Sequence, residues 1–230
     1  MKCAITLGAL SSVILFSASL AGCLAQEEAK EEADDVKKSE TTVKTESTDA
    51  PKKTESRFDN ITLGAGCFWC IEAVLERIKG IDTVESGYCN GEVANPTYQA
   101  VCTGRTGHAE VVKVRFDTKE LSLEKLLDIF YELHDPTTLN RQGADRGTQY
   151  RSGIYYHHEE QKKAAVEVTK RWNESGKYKD PIITEIVKAD TFYPAEEYHQ
   201  DFYKIQPEYG YCRAIIYPKL KKMGLLKAPE

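Results

Sequence analysis

The chain has 230 residues, seven cysteines, 41% hydrophobic residues and a formal net charge of −5, which suits one globular domain plus a segment that does not fold. Between Gln26 and Ser56 ten acidic residues stand against six basic ones, and with Lys2 the only other charge before Arg57 the remainder carries just −2. A domain so close to neutral has no basic footprint for nucleic acid, which is bound largely by Lys and Arg neutralising phosphates.

Residues 1–22 read as a signal peptide, with Lys2 as a thin positive start and an apolar stretch up to Leu20. The stretch is too short, and too soon followed by charge, to serve as a membrane span. Leu20-Ala21-Gly22-Cys23 resembles the lipobox of bacterial lipoproteins. That resemblance implies cleavage before Cys23, lipidation of Cys23, and a membrane-anchored protein on the periplasmic side or in the cell envelope of a bacterium. Residues 23–56 hold no aromatic side chain, so little can offset their ordering entropy and they are expected to form a disordered tether. Its r.m.s. span is roughly 30–35 Å. Residues 57–230 are left as the folded domain.

Within that domain, residues 61–63 predict a short strand, residues 64–66 a tight turn, and apolar positions 67, 71, 74 and 78 one face of a helix that begins at Cys67 and is capped by Gly80. Residues 81–88 predict a second strand ending at Asn90-Gly91, and residues 95–98 a loop entering a short helix through Cys102. Residues 108–116 alternate, placing 110, 112, 114 and 116 on one face: Glu, Val, Val and Phe. Ser122 caps a helix with apolar residues at 123, 126, 127, 130 and 133. A long loop over residues 134–149 follows, then a strand at 150–156, a helix at 158–172 and a strand at 182–187. This order predicts an α+β fold, a mixed β-sheet with packed helices.

The chemistry gathers at Gly66-Cys67-Phe68-Trp69-Cys70. A cysteine at a helix N-terminus is expected to favour its thiolate, because free N–H groups and the helix dipole stabilise negative charge there. Once Cys3 and Cys23 are set aside with the export segment, Cys67, Cys70, Cys89, Cys102 and Cys212 remain. Five is an odd number, so the thiols cannot all be spent on structural disulfides. Glu110 shares the apolar side of its strand, where desolvation would let it hold a proton at neutral pH. Tyr98 and Tyr150 stand beside loops close to these groups, and the five histidines show no metal-ligand spacing.

Gly66-Cys67-Phe68-Trp69, Asn95-Pro96-Thr97-Tyr98, Gly107-His108-Ala109-Glu110, His134-Asp135-Pro136, the run from Asp145 through Gly147-Thr148-Gln149-Tyr150-Arg151, and Tyr198-His199-Gln200 together resemble the A-type peptide methionine sulfoxide reductases. The resemblance covers nearly all of residues 57–212. It implies a ferredoxin-like two-layer core and a monomer that needs no bound cofactor. It also implies the roles: Cys67 attacks the sulfoxide sulfur, Glu110 protonates its oxygen with help from Tyr98 and Tyr150, Phe68 and Trp69 cage the methyl group, and Asp145 joins the polar network. The substrate would be the S epimer of methionine sulfoxide, free or in exported proteins. Cys67 would become a sulfenic acid that a second thiol resolves, and an external thioredoxin-like dithiol would reduce the disulfide. Many relatives carry Gly where Cys70 stands and resolve with a cysteine on a Gly-rich tail. Here both Cys70 and Cys212 are candidates. Cys70 is favoured because it lies three residues along the helix, whereas residues 213–218 read as packed. Cys89 and Cys102 are expected to be bystanders.

Two other readings compete. Cys-x-x-Cys at a helix start after a strand also suits a thioredoxin-like thiol–disulfide oxidoreductase, although that class needs neither Glu110 nor the tyrosines. A surface lipoprotein that binds methionine-rich partners would leave the thiol without a task.

Overall fold

The computed structural model describes residues 56–226. The signal peptide, Cys23 and all but the last residue of the tether lie outside the described residues. Among the described residues no helix is long and apolar enough to cross a membrane.

The chain opens with strand β1 (Phe58–Ala65), helix α1 (Phe68–Leu75) and strand β2 (Ile81–Cys89). Helix α2 (Tyr98–Cys102), strand β3 (Ala109–Asp117) and helix α3 (Leu123–Leu133) follow. The second half holds a hairpin of β4 (Arg141–Gln142) and β5 (Asp145–Arg146), strand β6 (Ser152–Tyr156), helix α4 (Glu159–Glu174), strands β7 (Glu185–Lys188) and β8 (Tyr193–Pro194), and short helices α5 (Phe202–Ile205) and α6 (Tyr217–Lys222). The main sheet runs β7-β6-β1-β3-β2-β8. All its pairs are antiparallel except β6 with β7. The path β1-α1-β2-β3-α3-β6 with β1 and β3 at the centre is the ferredoxin-like arrangement expected of the fold.

Local chemistry sets the element ends. Ser122 accepts from the Lys125 N–H at 3.2 Å and Thr97 from the Ala100 N–H at 3.3 Å, two side-chain caps that satisfy otherwise free donors. On the helix side of the sheet, Ile61 and Leu63 of β1 and Val112, Val114 and Phe116 of β3 pack with Ile71, Val74, Leu126, Leu127 and Phe130 into the main core. Cys89, Ala109, Val111 and Tyr155 form a small cluster of their own. The alternation along β3 therefore places Glu110 on the side that carries α1.

Four details differ from the sequence reading. The first helix ends at Leu75, and turns reach Gly80 rather than a continuous helix. The long loop contains the β4–β5 hairpin and a 3₁₀ turn, Thr148–Tyr150, so Tyr150 precedes its strand instead of opening it. Strand β7 begins at Glu185, three residues later than expected. The two-residue β8 gave no periodic signal; it pairs because Gly87 has no Cβ, which would meet the Phe192 ring within 2.6 Å.

Candidate active site

Gly66 leaves β1 with φ +88°, a conformation open to glycine, and a Cβ there would lie 2.6 Å from the Gln142 side chain. The turn delivers Cys67 to the N-cap of α1, half-buried, with buried Cys70 one turn on; the Cys70 N–H donates to the Cys67 carbonyl at 3.1 Å. Burial pushes the Cys67 thiol well above its ordinary range, whereas the neighbouring Cys67 thiol brings Cys70 down to about 7, with the Lys219 charge helping. The expected Cys67 thiolate is thus corrected for the free protein: desolvation outweighs the helix terminus, and the first proton lost belongs to a coupled pair.

Glu110 reaches across from β3, 1% exposed, and its Oε2 accepts the Phe68 N–H at 3.3 Å. Burial pushes this carboxyl up to about 8, and the charges of Asp145 and Cys70 act in the same direction. It therefore holds a proton at neutral pH, as the strand pattern suggested. Tyr150 lies in the turn before β6, and its phenol is raised by burial and then by the Glu110 and Cys67 charges. Tyr98 opens α2; its N–H donates to Glu196 Oε1 at 2.8 Å, and Glu196 Oε2 accepts the Tyr88 hydroxyl at 2.9 Å. Burial and then the Cys102 thiol raise the Tyr98 phenol, and Cys102, exposed, follows Tyr98 by one turn of α2, so Cys102 lies nearer the site than its sequence position suggested.

The aromatics form one connected wall. Phe68 packs on Tyr88 and His199, with centroids 5.9 and 5.0 Å apart. Trp69 lies flat on Phe202 at 3.7 Å and donates its indole N–H to His199 Nδ1 at 3.1 Å. Asp145, on β5, accepts the Tyr211 hydroxyl at 2.7 Å, and the Tyr211 oxygen stands 3.5 Å from Cys70 Sγ. Asp145 and Tyr211, with Cys67, Cys70, Gln142 and Lys219, line a cavity of about 140 Å³. Cys212 is buried at the start of a π-turn, Cys212–Ile216, that runs directly into α6. Cys89 is buried and pushed up to about 12 by desolvation.

The structure thus gathers Cys67, Cys70, Phe68, Trp69, Glu110, Tyr98, Tyr150 and Asp145 into one region, and Cys212 directly follows Tyr211, whose oxygen stands 3.5 Å from Cys70 Sγ. Sequence reasoning assigned no role to Tyr211, His199, Glu196 or Lys219. His199 stood in a quoted motif, but a side chain that acts by holding another has no spacing signature. Tyr211 was visible only as the neighbour of Cys212. Among the described residues no group of three or more His, Cys, Asp or Glu could hold a metal ion.

Two thiols one turn apart at a helix N-terminus, facing a buried carboxylic acid that keeps its proton, define a thiol-dependent oxidoreductase that couples reaction at sulfur to proton delivery. The family model for peptide methionine sulfoxide reductase matches residues 59–228. The chain is 53% identical over 164 residues to peptide methionine sulfoxide reductase MsrA of Polynucleobacter asymbioticus, covering 71% of this chain and 86% of that one. To MsrA of Sulfolobus acidocaldarius it is 54% identical over 161 residues, covering 70% and 90%. Among solved structures, methionine sulfoxide reductase A of Corynebacterium diphtheriae superposes with a TM-score of 0.63 at 34% identity, over 70% of this chain and 80% of that one. Reduced Mxr1 of Saccharomyces cerevisiae gives 0.64 at 37%, over 68% and 90%. The chain belongs to the peptide methionine sulfoxide reductase family, in its A-type branch. It reduces the S epimer of methionine sulfoxide to methionine and so repairs oxidised proteins, which displaces the thioredoxin-like reading.

Proposed function

We propose that Cys67 is the nucleophile of this reductase, Glu110 its proton donor and Cys70 its resolving thiol. The observation that carries the assignment is the seat of Glu110 on the Phe68 N–H, one residue past Cys67. The thiol pair loses one proton near 7; when the remaining proton sits on Cys70, Cys67 is the thiolate. Cys67 Sγ attacks the sulfoxide sulfur as Glu110, assisted by the Tyr98 and Tyr150 hydroxyls, protonates the oxygen. Methionine departs and the hydroxyl passes to Cys67, so the substrate sulfur is reduced and Cys67 is oxidised to a sulfenic acid. Phe68 and Trp69 receive the apolar methyl group, for which sulfur–aromatic contact is favourable.

Cys70 then displaces the hydroxyl and forms a disulfide. Cys212, buried and held in the π-turn before α6, would have to unwind that turn to do the same. Two electrons must return from outside, and a disulfide whose Cys67 sulfur is half-exposed suits a thioredoxin-like dithiol. We further propose that residues 1–22 export the protein and that Cys23 anchors it by lipid, with residues 23–56 as its tether and exported proteins as its substrates.

The test is a single turnover of the purified full-length protein with peptide methionine sulfoxide and no reductant, followed by mass mapping. A Cys67–Cys70 disulfide with one methionine released is expected. A Cys67–Cys212 link would overturn the choice of resolving thiol, and methionine formation by Cys67→Ser would overturn the nucleophile. Incorporation of labelled palmitate that survives Cys23→Ser would refute the anchor, and a thioredoxin-like protein that leaves the mapped disulfide intact would refute the reductant.

A further inference from the structure

The Tyr211 side chain touches a reacting sulfur, and neither the sulfoxide step nor the cage employs it. Its only hydroxyl proton is given to Asp145 Oδ2 at 2.7 Å. While Cys70 holds its proton, the contact between the Tyr211 oxygen and Cys70 Sγ, 3.5 Å, is a hydrogen bond donated by the Cys70 thiol. A chain Cys70–Tyr211–Asp145 therefore points away from the sulfur in one direction, and the same three residues line the cavity beside Cys67.

We propose that Tyr211 and Asp145 form a proton relay that activates Cys70 for the resolving step. The proposal rests on the reading of Cys70 as resolving thiol. In that step the Cys70 S–H bond breaks, and its proton goes to the Tyr211 oxygen as the Tyr211 proton shifts to Asp145. Cys70 Sγ bonds to Cys67 Sγ, and the sulfenic S–O bond breaks. The hydroxyl leaves as water with a proton from solvent, and Asp145 returns one proton to solvent, so none is gained or lost. The sulfenic sulfur is reduced and the Cys70 sulfur oxidised, as two thiol-level sulfurs joined in a disulfide require.

The need for such a relay follows from the state of Cys67. In the free protein the Cys67 S–H is the main support of a Cys70 thiolate, and that donor no longer exists once Cys67 carries oxygen. The groups that then face Cys70 are Tyr211, Asp145, Lys219, Glu110 and Cys212. Of these, the Lys219 charge and the Tyr211 hydroxyl favour the thiolate, whereas Asp145 opposes it by its charge. Protonation of Asp145 through Tyr211 removes that opposition at the moment the thiolate forms. Hairpin β4–β5 thereby gains a task, since it is what carries Asp145 to the thiols. Tyr211 is catalytic by contact with Cys70; Asp145 acts through Tyr211 and is a positioning residue.

The experiment mixes the purified full-length protein with one equivalent of methionine sulfoxide, omits reductant, and times the Cys67 sulfenic acid by dimedone trapping and mass spectrometry. The lifetime is read independently of how fast methionine forms. In Tyr211→Phe, and in Asp145→Asn as a second variant that keeps the carboxyl shape, the Cys67 sulfenic acid is expected to persist at least about tenfold longer than in the wild type. Raising the pH above about 9, where a thiol ionises without help, should close most of that gap, which a merely structural defect would not do. A lifetime equal to that of the wild type in Tyr211→Phe, or a gap that persists at high pH, would overturn the relay. A wild-type disulfide between Cys67 and Cys212 would instead overturn the underlying choice of Cys70, so the two failures are told apart.

Discussion

The Trp69 indole N–H donates to Nδ1 of His199 at 3.1 Å, and so fixes both the edge of the aromatic wall and the histidine tautomer. With Nδ1 accepting, the ring proton of neutral His199 is on Nε2, which finds no closer partner than Glu196 Oε2 at 4.0 Å. Burial holds the His199 pKa below its ordinary value and keeps the acceptor free. The helix that bears both thiols is thereby tied to the segment that bears Phe202, on which Trp69 stacks.

His199→Leu removes the acceptor and leaves an indole N–H unsatisfied. The expected loss is about 1–3 kcal/mol of stability, together with a higher KM for methionine sulfoxide. His199→Asn, whose amide oxygen reaches nearly where Nδ1 stood, should restore much of both. Urea unfolding and steady-state kinetics on the two variants decide the matter. Equal behaviour of Leu and Asn would show that the hydrogen bond has no part in it.

Glu110 sets the alkaline limit of activity. Its carboxyl must hold a proton to serve the sulfoxide oxygen and is raised to about 8, so kcat/KM should fall as pH rises through about 8. Stability follows the same proton. The folded protein retains it between the ordinary carboxyl value of 4.5 and about 8 while the unfolded chain does not, so folding weakens as pH rises across that window. Glu110→Gln should lose about 10²- to 10⁴-fold in rate, yet its stability relative to the wild type should increase with pH and level off above about 8. Denaturation at several pH values tests the second half independently of turnover.

How much of this was legible beforehand depends on the kind of signal. The 3.6-residue period with Ser122 revealed α3, and the alternation along residues 108–116 revealed β3 and the side on which Glu110 stands, because regular burial leaves a regular pattern. The β4–β5 hairpin left none: two residues per strand are too few for a period, and Gly143-Ala144 gives only a turn. The Cys67 pKa was misjudged because the helix terminus is a local feature, whereas burial of the sulfur depends on residues distant in sequence, among them Tyr211 and Asp145. Tyr211 and His199 could not be assigned for a related reason. Each works through a hydrogen bond between residues more than sixty positions apart, which no spacing records.

The sheet side of the core offers a control far from the chemistry. Leu127 of α3 is fully buried, and truncation to Ala leaves a cavity as well as losing transfer free energy, so a cost of about 2–5 kcal/mol is expected. Below the lowered melting temperature kcat should be unchanged, since Leu127 lines no part of the thiol cavity. A matching fall in kcat under conditions where the variant is fully folded would contradict that separation.

Gly66→Ala tests whether the turn that presents Cys67 and the hairpin that presents Asp145 are one mechanical unit. The new methyl group would meet Gln142 Cβ and Cγ at 2.6 Å, in a backbone conformation of φ +88° that already disfavours a side chain. Gln142 cannot simply swing aside, because its amide accepts the Asp135 N–H at 3.2 Å and donates to the Asp135 carbonyl at 3.0 Å. Either Cys67 retreats from its N-cap position or β4 moves away and carries Asp145 with it. Left-handed backbone at a non-glycine residue costs about 1–3 kcal/mol, and the displaced hairpin should slow sulfenic acid resolution in addition. The expected result is a lower urea midpoint with a longer-lived Cys67 sulfenic acid in the same variant. Loss of stability alone, with resolution at the wild-type rate, would show that the hairpin keeps its place without the glycine.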